Sequence, residues 1–265
     1  MVYAALAVLL LTGFYPIRRA WHGNRRTTLR HAISWGGGAW TAWCLAACVS
    51  AAWPGTHSTL ARYFALCLTA CAAVAVLGAR RPGVAAWNFV VCGLFAVLLL
   101  PVANQLGEVR LNALEATFLS GALAVGFVNH LPTRLATVVL PVGAACALEM
   151  CLLLGITGID GTWADPTALA LLAAAPWLGL AAARRGKPIA DEFDREWLAF
   201  RDRFGMVWAL PARDQFNRAA ANGKWGVVLD WMGLRPTGES TAALPATPLA
   251  GLRGVLKRFG PDEER

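Results

Sequence analysis

Through its first 185 positions the chain shows neither strict alternation nor a one-faced helical period. Apolar residues run in long blocks, broken by short clusters of arginine, proline and glycine. Blocks of about 20 apolar residues match the length a helix needs to cross a bilayer's hydrocarbon. Seven are expected: residues 2–15 (completed by Pro16 and Ile17), 32–53, 60–79, 84–103, 111–129, 135–154 and 167–183. The first break, residues 14–30, reads as a loop carrying Arg18, Arg19, Arg25, Arg26 and Arg30. Arginines in short loops resist translocation, so this loop belongs on the cytoplasmic side, which fixes the side of every later loop. Span two is rich in small residues, including Gly36, Gly37 and Gly38, that let helices approach closely in lipid.

After residue 185 the pattern changes to that of a water-exposed segment. Asp191 can cap a helix on which Phe193, Trp197, Phe200 and Phe204 form one aromatic stripe among charged residues. Gly205, Pro211 and the Asn222-Gly223 pair punctuate a second helix, and residues 225–231 read as one short strand. The expected organisation is a seven-span domain over 1–185, a small cytoplasmic subdomain over 186–234, a flexible linker over 235–248 and a basic amphipathic helix and tail over 249–265. The fold class is an all-α polytopic membrane protein: a seven-span helical bundle with a small cytoplasmic α(+β) tail domain.

Composition sharpens this picture. Of the residues, 57% are hydrophobic and 15% charged, far from the balance of an ordinary soluble domain. Ten of the twelve arginines before Gly186 fall in inner loops, with Arg62 and Arg110 outside; of the five acids there, Glu108, Asp160 and Asp165 fall outside. This distribution predicts an outer N-terminus and a cytoplasmic C-terminus in a bacterial inner (plasma) membrane. The net charge of +8 is therefore a topology signal, and nucleic acid is not an expected partner. All seven cysteines lie in apolar blocks, so no disulfide framework is expected.

Candidate chemistry is sparse. Glu115 and Glu149 lie within expected spans five and six, near the outer boundary, where an intramembrane acid suggests a proton or cation site. Pairing with Arg62, Arg110 or backbone groups is the plainer role for each. Cys44 and Cys48 on span two, with Cys67 and Cys71 on span three, have the spacing of a four-thiol soft-metal site, although small apolar packing is the prevailing reading. His22, His31 and His130 sit at the inner boundary, and Asn88, Asn112 and Asn129 suit interhelical hydrogen bonds. No catalytic motif stands out and no cofactor is expected. The favoured expectation is a non-enzymatic membrane anchor or accessory protein. It would be embedded in the lipid bilayer and engage a protein partner through its tail, with Phe193, Trp197, Phe200 and Phe204 as partner surface or subdomain core. The alternative is a small ion- or proton-coupled transporter or channel using Glu115 and Glu149.

Overall fold

A computed structural model describes residues 1–53, 55–80, 84–104, 109–185, 191–237 and 246–259. Glu108, Arg81, residues 186–190 of the expected subdomain and most of the expected linker lie outside them. The described chain is predominantly helical. The first part comprises α1 (Val2–Thr12), α2 (Phe14–Asn24), α3 (Arg30–Ala52), α4 (Thr56–Ala75), α5 (Val84–Leu98), α6 (Leu100–Asn104), α7 (Ala113–His130), α8 (Ala136–Leu153) and α9 (Gly161–Arg185). A tail follows with α10 (Glu192–Phe204), α11 (Met206–Asn222), strands β1 (Val227–Asp230) and β2 (Gly233–Pro236), and α12 (Ala246–Leu256).

Among the described residues, five helical stretches are long and apolar enough to cross a membrane: Val2–Asn24, Thr56–Gly78, Ala86–Ala103, Ala136–Leu153 and Gly161–Arg184. Helices α3 and α7 occupy the places of expected spans two and five. They are not among the five: α3 carries Gly36, Gly37, Gly38 and three tryptophans in its apolar stretch, and α7 carries Glu115, Asn129 and His130. Large apolar side chains point outward from these helices, among them Leu9, Leu45, Phe89, Leu114, Phe118 and Leu140. Such a surface suits lipid rather than water.

The arginine loop needs correcting. Gly13 keeps right-handed helical geometry (φ −64°, ψ −16°), so α1 runs on into α2 and Arg18 and Arg19 project from a helix. Only the short turn before α3 remains irregular. Gly13 is needed for a different reason: a Cβ there would lie 2.3 Å from Cζ2 of Trp40, whose indole donates to the Leu10 carbonyl at 3.0 Å. Gly36, Gly37 and Gly38, expected to seat a neighbouring helix, face open space. Alanines make that approach instead: Ala42, Ala46 and Ala47 of α3 and Ala65 and Ala70 of α4 are buried where the two helices pack. Helix α4 also packs on α5, α7 and α8, with Gly126 of α7 set against Ala73.

In the tail, the single expected strand is an antiparallel hairpin, with Leu229 opposite Leu234. Its second strand takes residues assigned to the linker, so the linker is shorter than expected at both ends, because α12 already begins at Ala246. Side chains close both outer edges of the hairpin. Asn217 bonds the N–H and C=O of Leu229 at 2.7 and 3.0 Å, and Asp194 accepts the Leu234 N–H at 2.8 Å. Backbone groups engaged in this way are less open to pairing with a further strand.

The C-terminal helix is no separate appendage. It ends in a 3₁₀ turn, Lys257–Phe259, that inserts Phe259 between Phe200, Phe204 and Trp208 at ring-centroid distances of 4.9, 5.0 and 5.5 Å. Arg253 clamps its outer side to Glu192 and Glu196 at 2.7 and 2.6 Å. Exposed ion pairs contribute little, so the aromatic contacts carry the attachment. Phe259→Leu keeps the apolar volume but loses three edge-on ring contacts, at an expected cost of about 1–2 kcal/mol. Limited proteolysis should then release α12 earlier than in the wild type.

Candidate functional site

The first candidate lies where three helices end on the same side. Gly55 (φ +107°) turns the chain into α4, where Ser58 and Thr59 hydroxyls bond back to its carbonyl at 2.7 and 3.3 Å. Arg62 follows on the next turn. Asp160 starts α9 by accepting both the N–H and the hydroxyl of Thr162, each at 3.0 Å. Those bonds hold its carboxyl below the usual carboxylate range. Asp165 follows one turn later, and Glu149 lies one turn before the end of α8. At 1.5 Å per residue, all three side chains lie about 6–9 Å below the helix ends. There Arg62 Nε is 3.6 Å from Glu149 Oε2, and Arg62 Nη1 meets Asp165 Oδ2. Glu149 is 2% and Asp165 7% exposed. One guanidinium thus lies in ion-pair range of two carboxylates, while Glu149 Oε1, Asp165 Oδ1 and Arg62 Nη1 itself are buried without a directed hydrogen bond among the described residues.

Glu115 does not join them in any described contact. Its carboxylate accepts the Asn112 N–H at 2.9 Å while Asn112 accepts the Glu115 N–H at 2.9 Å, a reciprocal capping box that starts α7. The Arg62–Glu149 pair is the plainer role weighed above for that glutamate, whereas Asp165 was placed only among the outer charges. The missed signal was local: Asp160-Gly161-Thr162 begins a helix, so Asp165 lies inside α9 rather than in a glycine-rich turn.

The four thiols do not gather. Cys48 is exposed, whereas Cys67 and Cys71 turn toward the carbonyls of Leu98 and Val91 at 3.8 and 3.9 Å. Among the described residues no three His, Cys, Asp or Glu side chains are placed to hold a metal. Of the three asparagines expected to bridge helices, Asn88 and Asn129 do so, whereas Asn112 is spent on capping its own helix α7. Asn88 joins His31 at 2.8 Å and Trp35 at 3.4 Å across α3 and α5.

The second candidate is the tail and its seat. Phe193, Trp197, Phe200 and Phe204 are all buried. Phe193 meets Phe216 of α11, Trp197 donates to the Trp231 carbonyl at 3.3 Å, and Phe259 covers the other two. The stripe is therefore the subdomain's own core. Its α10–α11 corner rests on α7: Asn129 donates to the Phe204 carbonyl at 3.2 Å and accepts the Val207 N–H at 2.8 Å. Gly205 makes this possible with φ +72° and no Cβ, because a Cβ would lie 2.3 Å from Asn129 Nδ2. Further bonds run from Trp208 to the Val76 carbonyl at 3.2 Å and from Trp231 to the Pro132 carbonyl at 2.9 Å. Arg134 pairs with Asp202 at 3.7 Å, and Arg80 lies over the Trp208 ring. The tail is thus bonded to the ends of α4 and α7 and to the α7–α8 turn. No known protein family, curated protein or solved structure matches this chain.

Proposed function

We propose that this chain is a seven-span protein of a bacterial inner membrane, with its N-terminus outside and its C-terminus cytoplasmic. It acts as a non-enzymatic anchor or accessory protein whose tail engages a partner. The topology rests on the alternation of α1–α2, α3, α4, α5–α6, α7, α8 and α9, with Arg18, Arg19, Arg25, Arg26, Arg80, Arg134 and Arg184 at one set of ends. The observation that carries the anchoring role is the seat of the tail, bonded at Val76, Asn129 and Pro132. A subdomain held at several points keeps one orientation to the bilayer and presents a fixed surface to a partner. Because its aromatics are internal, that surface is the polar outer side of α10 and α11, with Arg203, Asp214 and Arg218 exposed.

The test combines labelling with crosslinking. Cysteines introduced at residues 56–58 and 156–158 should react with an impermeant thiol reagent added outside. Those introduced near Arg25 and at the C-terminus should react only after permeabilisation. A photo-crosslinker at Arg203, Asp214 or Arg218 should trap one discrete protein in cells, whereas a crosslinker at lipid-facing Leu114 should not. An externally reactive C-terminus would overturn the topology, and identical adducts at Arg218 and Leu114 would overturn the anchoring role.

A second reading, ion- or proton-coupled transport, is favoured by one observation: the buried carboxylates of Glu149 and Asp165 sharing Arg62. It replaces Glu115 by Asp165 as the partner of Glu149.

A further inference from the structure

The Arg62 cluster carries more negative than positive charge in a buried place. If both carboxylates are ionised, the sum of Arg62, Glu149 and Asp165 is minus one, and two of the four carboxylate oxygens have no donor among the described residues. An unpaired buried charge is among the costliest arrangements a protein can hold, and its usual resolution is to neutralise. Two acids competing for one cation reach neutrality by keeping one proton between them.

We propose that Arg62, Glu149 and Asp165 form a proton-binding site under the outer helix ends, in which the two carboxylates together hold one exchangeable proton. The proton turns one orphaned oxygen into a donor and cancels the excess charge. The segment before α7 brings Arg110 to the wall of the adjoining cavity, where it has a contact of its own. Helix α4 adds Tyr63, whose hydroxyl is committed to the Leu98 carbonyl. Helix α8 adds Cys146, one turn before Glu149 and fully buried. Helix α9 adds no other acid below Asp165, while Asp160 stays at the exposed end. Helix α7 contributes Glu115, tied into its cap.

A metal ion fits less well. Divalent cations such as Ca²⁺ and Mg²⁺ take about six or more oxygens, whereas two uncommitted carboxylate oxygens are offered here among the described residues, beside a guanidinium. A hydrated space lies next to the site. A cavity of about 570 Å³ is lined by Thr56, Thr59, Arg110 and Leu152 among others, and Thr59 Oγ1 accepts from Arg62 Nη2 at 3.5 Å.

The site is the one on which the second reading rests, but proton binding stands without transport, and the two are measured separately. The full chain in lipid nanodiscs is titrated by infrared difference spectroscopy, following the carbonyl stretch of protonated carboxyl groups. Exposed carboxyls titrate in their ordinary acidic range; one further band, titrating above that range, is expected from the site. It should disappear in both Glu149→Gln and Asp165→Asn, because either variant leaves a single acid matched by Arg62, and it should persist in Glu115→Gln. Should the variants fail to fold, dicyclohexylcarbodiimide, which attacks protonated carboxyls in apolar surroundings, is applied to the unaltered protein. Mass spectrometry should then place the adduct on Glu149 or Asp165, with a yield that falls as pH rises. Survival of that further band in both variants, its absence from the unaltered protein, or an adduct on neither residue overturns the proposal. Proton flux into liposomes is scored independently, so a titrating site without flux retains the binding and removes the transport reading.

Discussion

Replacing Arg62 by leucine is expected to destabilise the folded protein by about 3–5 kcal/mol, the largest effect of any single substitution in the spans. Glu149 and Asp165 would remain buried at 2% and 7% exposure with their one cation gone. The measure is thermal unfolding in detergent, followed by reaction of the buried thiols Cys67, Cys71 and Cys146 with a fluorescent maleimide. A second comparison separates burial cost from packing loss. Arg62→Leu combined with Glu149→Leu and Asp165→Leu removes the whole charge cluster, and replacing buried ions by apolar groups is often neutral or stabilising by about 1–4 kcal/mol. The triple variant should therefore recover most of what Arg62→Leu loses. If both variants melt alike, leucine's shape rather than stranded charge is responsible.

The next largest effect should come from the seat of the tail. Asn129→Leu strands the Phe204 carbonyl and the Val207 N–H, each at about 1–3 kcal/mol. Gly205→Ala attacks the same contact from the other side, by forcing a side chain into a left-handed backbone and into the asparagine amide. Neither change touches the stripe's internal packing against Phe216 and Phe259. The subdomain should consequently stay folded but come loose from the spans. Hydrogen exchange should then rise at the α10–α11 corner and in the α7–α8 turn, while the hairpin amides stay protected. Exchange rising equally through the hairpin would mean that the tail has no core of its own. A photo-crosslink at Arg218 that survives undocking would show that the partner does not read the tail's orientation.

Much of the architecture was legible in the residues because its signals are local. Apolar blocks of bilayer length need no tertiary information to be recognised, and α4, α8 and α9 lie close to where they were expected. The helical spacing of Phe193, Trp197, Phe200 and Phe204 likewise announced a buried face, and Asp191 its cap, which accepts the Phe193 N–H at 3.3 Å. Local signals misled where two readings share one pattern. Arginine after an apolar block reads as a loop, yet arginine is a good helix former and α2 simply continues α1. Glycine in a span reads as a packing face, yet Gly36, Gly37 and Gly38 meet nothing.

Residue pattern alone thus determined that the first part is built of membrane-length apolar helices and that the tail carries one amphipathic helix with a buried aromatic face. Helical period and block length are properties of neighbouring residues. What covers that face, and which charges meet, were decided only by tertiary structure. Phe259 closes over Phe200 and Phe204 from 55 or more positions away in the chain. Glu115 and Glu149, alike in sequence as isolated acids in apolar surroundings, part company because one lies on the first turn of α7 beside Asn112. The other lies at the depth where α4 and α9 bring Arg62 and Asp165. That depth depends on how three helices align, and no local periodicity encodes it.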